Sequence, residues 1–286
     1  MARCIRRLAN IECQSSSLSP SVMGASEAKR RPLWRGVVLP PEHGSWGLVA
    51  EPLALGLMVR PSLAGLVLAL GALAGFLAYR PAKLLYTDAR RRRRFRRTRI
   101  ALAFAAVLAL VSALLLVISA HLVGARPFIV FLFAAPFALL FVAYDLAPGR
   151  FWQAEAAAPL AFASSAAAVA LAGSGSWRLA AALWAVVVAR SLPSVLYVRA
   201  RLRLERGEPA RTRLALGAHT LGLLVVAWMA TSGWLPVLAV LAMALLLVRA
   251  SLGLSALRRK TSARAVGLRE IGWGVVVIVI VAAGFW

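Results

Sequence analysis

Apolar runs of about 18 to 22 residues recur along the chain, each followed by a short polar or basic segment. The runs are rich in Ala and Leu and lack the polar/apolar alternation of a membrane β-barrel strand. At a rise of 1.5 Å per residue, a helix of about this length crosses about 30 Å of hydrocarbon. Because unpaired backbone groups are costly in lipid, we expect every run to be an α-helix.

This pattern predicts an all-α bundle of about nine transmembrane helices that forms one domain over residues 39–286. The expected spans are 43–59, 62–79, 100–120, 127–145, 154–172, 177–197, 214–231, 234–253 and 270–286. Residues 1–38 precede them as a polar, basic leader that lacks the apolar core of a signal peptide. We expect this leader to be disordered. Met23 would serve as an alternative start within it.

Lysine and arginine fall almost entirely on one side of these spans. Of the 34 in the chain, 31 lie in the leader, near the ends of the even-numbered spans or in the segments after them. The other side has Arg60, Arg126 and Arg178. Basic segments remain in the cytoplasm, so the N-terminus is expected there and Trp286 outside. The predicted location is the cell inner (plasma) membrane, which the chain crosses several times.

Composition excludes an ordinary soluble domain, because 61% of the residues are hydrophobic and the mean hydropathy is +0.79. The net charge of +24 would suggest nucleic acid in a soluble protein. Here the charges separate apolar runs, so we expect no nucleic acid, and anionic lipid as the partner of basic segments such as Arg90–Arg94. Cys4 and Cys13 lie in the leader without metal-ligand spacing, so no metal and no cofactor are predicted.

Several polar side chains lie within or at the ends of the expected spans, where a charge at mid-helix costs about 2.5–3.5 kcal/mol. Glu51 and His43 on the first span are candidates for an acid/base pair. The candidate ligand-binding residues are Arg80, Lys83, Arg190, Ser194, Tyr197, Arg199, Arg201, His219 and Glu270. Nearly all belong to the cytoplasmic half of the membrane.

Two interpretations of this asymmetry remain open. The residues could line a polar, basic cavity that opens to the cytoplasm and binds an anionic or lipid-like ligand, since the planar fork of Arg suits phosphate. Alternatively they pair with one another, for example Glu51 with Arg190, and serve only to fix helix packing.

Five sequence segments resemble the YwiC-like family of bacterial membrane proteins. They are Pro41-Glu42-His43-Gly44-Ser45-Trp46, Glu51-Pro52, Arg80-Pro81, Arg190–Arg201 with its Pro-Ser-Val-Leu-Tyr-Val-Arg core, and Gly267–Glu270. The resemblance runs from about Pro40 to the C-terminus. It implies a polytopic membrane protein and names no reaction.

A second likeness, at the level of topology, is to the UbiA-type prenyltransferases, which have about nine helices and polar cytoplasmic loops after helices two and six. Those enzymes hold Mg²⁺ and diphosphate with Asp-rich motifs, whereas this chain has only Asp88 and Asp145. The likeness implies an isoprenoid or prenyl transferase without the usual metal motifs. A proton-coupled transporter that uses Glu51, His219 and Glu270 is a further alternative.

The charge asymmetry generates a prediction about topology. A reporter fused after Trp286 should be active outside the cytoplasm, and one inserted between Arg90 and Arg99 should be active inside, because basic segments are retained there. Paired enzymatic reporters measure both positions. A cytoplasmic signal from the C-terminal fusion would contradict the count of nine spans.

Overall fold

The computed structural model of the protein describes residues 36–37, 43–92, 95–147, 149 and 152–286, without the side chains of residues 43–45. The leader, residues 1–38, lies outside this range except for its last described pair, Gly36 and Val37. The predicted disorder of the leader therefore stays a prediction.

Within the described ranges the chain forms nine long helices and one 3₁₀ turn. They are α1 (His43–Val59), α2 (Leu63–Arg90), α3 (Arg96–Val123), the 3₁₀ turn Arg126–Phe128, α4 (Ile129–Leu146), α5 (Trp152–Ala172), α6 (Trp177–Glu205), α7 (Thr212–Thr231), α8 (Val237–Leu254) and α9 (Ala263–Ala283). Eight are long and apolar enough to cross a membrane, and α1 is a shorter apolar helix. The predicted all-α membrane bundle is confirmed.

Several helices are longer than their apolar runs, and three of them differ from the predicted span by seven or more residues at one end. The helices α2 and α6 have 28 and 29 residues, so they extend well beyond the predicted ends at 79 and 197. The helix α9 begins at Ala263, where the Ser262 hydroxyl accepts from the Ala265 N–H at 3.3 Å. Glu270 was predicted to open this helix and instead lies about two turns inside it. Hydropathy marks only the segment in lipid, while capping and polar helical turns outside lipid set the helix bounds.

Short turns between helices begin and end at residues suited to those positions. Ser62 and Ser176 cap α2 and α6, with their hydroxyls accepting from the N–H groups of Gly65 and Leu179 at 3.0 and 3.1 Å. Gly124 follows α3 at φ +73°, a backbone conformation that glycine adopts without strain. These local signals explain why neighbouring helices run antiparallel with few linking residues.

Two neighbouring helices, α5 and α6, occupy the centre of the bundle. In their apolar windows 72% and 56% of residues are buried, against 6% for the peripheral α3. The helix α5 is rich in Ala, and residues 163–172 are all buried, which allows close approach of its neighbours. The helices α1, α2 and α4 pack on α5, while α7 and α8 pack on α6. The helix α9 packs on α1 and α8 and completes the ring around α6.

The packing of α7 on α6 generates a matched pair of predictions. A Cβ at Gly222 would stand 2.9 Å from the Ala189 carbonyl oxygen, whereas a Cβ at Gly217 on the same helix would meet nothing. Gly222→Ala should lower the free energy of unfolding by about 1–3 kcal/mol through overpacking. Gly217→Ala should raise it by about 0.5–1 kcal/mol by removing a helix-interior glycine. Tryptophan-fluorescence melting measures both, and equal effects would contradict the close packing of α6 and α7.

Candidate functional site

Ionisable side chains from five helices meet in one layer inside the bundle. Glu51 of α1, Arg190 of α6, His219 of α7, Arg249 of α8 and Glu270 of α9 are the members of this polar layer. Four of them lie 12 or 13 residues from the end of their helix that faces the predicted outside. At 1.5 Å per residue that distance is about 18–20 Å, which places the layer within the hydrocarbon of a membrane-spanning bundle.

Two ion pairs connect the helices of the polar layer. The Nη2 atom of Arg190 lies 2.9 Å from Oε1 of Glu51, and both side chains are only 7% exposed. The same Nη2 donates to the backbone carbonyl of Glu270 at 3.0 Å, and the Glu270 carboxylate pairs with Arg249 Nη2 at 2.5 Å. A Cβ at position 274 would overlap the Glu51 carboxylate, so Gly274 allows α9 to approach this pair. Pairing offsets the large cost of desolvating these four charges.

Aromatic rings cover one side of the layer. The guanidinium carbon of Arg249 lies 4.1 Å from the centre of the Tyr197 ring and 6.0 Å from that of Trp273. The Tyr197 ring meets the His219 ring edge to face at 6.4 Å. Such contacts stabilise a cation that is held away from water. Through these contacts Tyr197 of α6 touches two members of the polar layer, Arg249 and His219.

Pairing in the layer is incomplete. Several side-chain atoms are buried without a hydrogen-bond partner among the described residues, and six of them belong to the layer or to Ser194 beside it. They are Glu51 Oε1, which is at ion-pair distance but poorly aligned, Arg190 Nε, Ser194 Oγ, His219 Nε2, and Arg249 Nε and Nη1. We call these atoms orphaned, because each is buried without a hydrogen-bond partner among the described residues. A buried polar atom in this state is costly, so the layer has capacity for further hydrogen bonds.

A cleft of about 270 Å³ opens beside the polar layer, between α6, α8, α9 and residues 255–262. We call it the basic cleft, because five arginines and one glutamate line it. Its charged and polar lining residues are Tyr197, Arg201, Arg249, Arg258, Arg259, Thr261, Arg269 and Glu270, and its other lining residues are Leu252, Gly253, Leu257, Val266 and Trp273. Arg249 and Glu270 belong to both the layer and the cleft.

Arg201 fixes one wall of the basic cleft. Its side chain is 5% exposed and pairs with Glu205 one turn along α6 at 2.9 Å. Its guanidinium also donates to the backbone carbonyls of Gly253 and Arg259, which lie at and beyond the end of α8. These contacts hold the segment after α8 against α6, so the position of this wall depends on one buried side chain.

The structure brings six of the predicted ligand-binding residues together. Tyr197, Arg201 and Glu270 line the basic cleft. Arg190, Ser194 and His219 are buried nearby in and beside the polar layer. Glu51 does pair with Arg190, as the packing interpretation drawn from the sequence expects, and the basic cleft is lined in part by Arg249 and Glu270 of the same layer.

The other candidates lie elsewhere. Lys83 of α2 pairs with Asp145 of α4 at 2.8 Å, and partly buried Arg80 is one turn before it. Arg199 pairs with Glu155 of α5 at 3.0 Å. His43 begins α1, and its side chain is outside the part of the chain that the structure describes. The predicted set thus forms separate polar groups rather than one cavity.

Four arginines of the basic cleft are not among the predicted ligand-binding residues, because their positions in or near basic segments indicate only the orientation of the chain in the membrane. They are Arg249, Arg258, Arg259 and Arg269. Arg258 and Arg259 gave no other signal, since they lie in a basic segment, whereas Arg269 lies in the Gly267–Glu270 segment that resembles the YwiC-like family. Arg249 gave another signal, because it falls inside the predicted span 234–253, and a charge within a span needs a structural or functional reason.

The apolar helices and the interior layer of paired charges define a multi-pass, α-helical integral membrane protein. Residues 39–170 match the family model described as YwiC-like protein, so the predicted resemblance to the YwiC-like family is confirmed over that range. The match covers α1 to α4 and nearly all of α5, and therefore Glu51, whereas the basic cleft lies beyond it. No curated protein and no solved structure matches the chain.

The buried pair between α1 and α6 generates a double-mutant prediction. Glu51→Gln or Arg190→Met alone leaves a buried charge without its partner and should lower the free energy of unfolding by about 3–5 kcal/mol. The double variant should recover most of that loss. Unfolding in mild detergent, followed by tryptophan fluorescence, measures the coupling.

The exposed pair of Arg203 and Glu208 is the matched control, since its side chains are 51% and 44% exposed. Its removal should change stability by about 0–1 kcal/mol, because solvent screens surface pairs. A double Glu51/Arg190 variant that loses the sum of the two single effects would contradict the buried pairing.

Proposed function

We propose that the basic cleft binds the phosphate-type anionic group of an amphiphilic molecule at the cytoplasmic face of the membrane. The observation that carries this proposal is Arg249. Arg249 is only 8% exposed and lines the cleft, and two of its guanidinium nitrogens have no hydrogen-bond partner in the described structure. Glu270 engages only Nη2 of this guanidinium, so unused donors remain for an anion.

The charge of the cleft supports an anionic ligand. Five arginines line it against the single carboxylate of Glu270. Arg201 is already engaged by Glu205 and by backbone carbonyls, and Arg249 is partly neutralised by Glu270. Arg258, Arg259 and Arg269 add positive charge at the rim. Guanidinium groups in this number favour phosphate, whose oxygens accept several hydrogen bonds at once.

Apolar residues on the same cleft support an amphiphile rather than a simple ion. Leu252 and Leu257 line it with 58% and 84% of their surface exposed. In a membrane protein such side chains face lipid, so an acyl or isoprenoid chain would lie against them while its head group meets the arginines. The predicted preference for an anionic or lipid-like ligand is thus proposed for this cleft specifically.

The two alternatives are supported less well. Metal-assisted prenyl transfer needs free carboxylates, but Asp88 accepts from Arg97 and Thr98, and Asp145 accepts from Tyr79 and pairs with Lys83. A transporter needs a polar route across the membrane. Toward the predicted outside, the layer is instead followed by a buried apolar cluster whose members include Leu55, Leu183, Val186, Met229, Leu235, Met243, Val277 and Val281. This arrangement favours binding from one side.

The proposal is tested with phosphatidylmethanol, a monoanionic lipid, mixed into phosphatidylcholine nanodiscs. Native mass spectrometry counts the lipids retained by the protein. The natural chain should retain phosphatidylmethanol preferentially, and Arg249→Met should reduce that preference about tenfold or more, since each bond to a charged group contributes about 1.5–3 kcal/mol.

Arg203→Met is the matched control, because Arg203 lies on α6 two residues after Arg201 but faces solvent and Glu208. It removes the same charge and should leave the preference unchanged. Equal losses in the two variants would mean that only overall charge attracts the lipid, and the proposed site would be wrong.

A further inference from the structure

The orphaned atoms in and beside the polar layer are of two chemical kinds. Arg190 Nε and the two nitrogens of Arg249 can only donate hydrogen bonds. Glu51 Oε1 in its ionised form can only accept, and Ser194 Oγ can do both. All four residues are more than nine-tenths buried. A partner that completes this set must therefore both accept and donate.

His219 belongs to the accepting kind. Its Nδ1 lies 2.8 Å from the carbonyl oxygen of Ala215, which can only accept, so Nδ1 carries the proton. In the neutral ring Nε2 is then a lone-pair acceptor, and it is among the orphaned atoms of a residue that is 3% exposed. The neighbouring turn of α7 thus fixes a hydrogen-bond acceptor inside the membrane.

The acceptors adjoin Tyr197, which lines the basic cleft. The Tyr197 ring contacts the Arg249 guanidinium on one side and the His219 ring on the other. Ser194 precedes Tyr197 by one helical turn on the same face of α6. Gly222, one turn from His219, packs against Ala189, and this register sets His219 opposite Leu192, about 3 Å along the helix axis from Ser194. Tyr197, a lining residue of the cleft, therefore contacts both an orphaned donor, Arg249, and an orphaned acceptor, His219.

An ionised phosphate ester has oxygens that only accept, so it satisfies the arginines, leaves His219 Nε2 without a partner and adds none to Glu51 beyond Arg190. A diphosphate on a hydrocarbon chain has the same deficiency. A hydroxyl group both donates and accepts. We infer that the ligand is a polyol phosphate, an ester in which hydroxyl groups beside the phosphate reach His219 and Ser194 while the phosphate pairs with Arg249.

This inference rests on the proposed function, and it narrows the ligand to esters of glycerol- or sugar-like alcohols. The head group of a membrane lipid and a free phosphate ester share this chemistry. Two matched pairs of probes separate these sources. Phosphatidylglycerol and phosphatidylmethanol differ in the two hydroxyls of the head group and in the two carbons that carry them, as do glycerol phosphate and methyl phosphate in solution.

The experiment measures the affinity of each probe for the full chain in phosphatidylcholine nanodiscs. In at least one pair the glycerol ester should bind about tenfold more tightly than the methyl ester, which corresponds to about one good hydrogen bond. A preference confined to the lipids assigns the ligand to the membrane, and one confined to the soluble esters assigns it to the cytoplasm.

Two variants test the residues themselves. His219→Phe keeps a ring against Tyr197 and removes the acceptor, and Ser194→Ala removes the hydroxyl; each should abolish the preference for glycerol while methyl ester binding persists. Ser165→Ala is the control, because its buried hydroxyl already donates to the Phe162 carbonyl on α5. Should His219→Phe fail to fold, Ser194→Ala alone decides the question.

The outcomes separate the two proposals. Equal binding of glycerol and methyl esters in both pairs, or a preference that survives in Ser194→Ala and His219→Phe, overturns the polyol inference and leaves anion binding in place. If methyl esters bind the natural chain no better than Arg249→Met, the proposed function fails, and the inference fails with it.

Discussion

The pairing of four charges inside a membrane is the constraint on which the rest of this structure depends. Glu51, Arg190, Glu270 and Arg249 lie on four different helices; three of them are buried, and the Glu270 side chain is 12% exposed. Leaving any one of them without a partner in lipid would be strongly unfavourable, so α1, α6, α8 and α9 are restricted to arrangements in which all four meet. Dispersion and small-residue packing alone are less selective, because lipid chains are as apolar as the helix surfaces.

Small residues make this arrangement sterically accessible. The Ala-rich α5 and the glycine at position 274 allow neighbouring helices to approach until the charged groups touch. The layer is then sealed toward the predicted outside by an apolar cluster and adjoins the basic cleft at its other side. Stability and the proposed binding therefore draw on the same side chains, because Arg249 both neutralises Glu270 and lines the cleft. A site of this kind cannot lose its charge without disturbing the helices around it.

The sequence was sufficient for the helices but not for the partners of their polar residues. Apolar runs of membrane length have a direct physical meaning. The majority of the predicted span ends therefore lie within a few residues of the observed helix ends. The bounds of α2, α6 and α9 were missed because polar helical turns outside lipid leave no hydropathy signal.

Which charges pair is set by the rotation and depth of each helix, and a single sequence does not determine either. The pair of Glu51 with Arg190 was anticipated from depth and opposite charge alone. The sequence did not predict that Lys83 pairs with Asp145 or that Arg199 pairs with Glu155. Lys83 and Arg199 were therefore grouped with the other candidate ligand-binding residues, from which the structure separates them. Arg249 could have been found, since an arginine inside an apolar span is as costly as the glutamate that was noticed.

One ion-paired layer holds the helices of this protein together inside the membrane. The most direct measurement is the melting temperature of a charge exchange, Arg249→Glu combined with Glu270→Arg, against each single variant. Each single variant places two like charges where the natural protein has a close ion pair, and it should melt far below the natural protein. The exchanged pair restores attraction, so the account predicts that it regains most of the lost stability. An exchanged protein that is no more stable than the weaker single variant would contradict it.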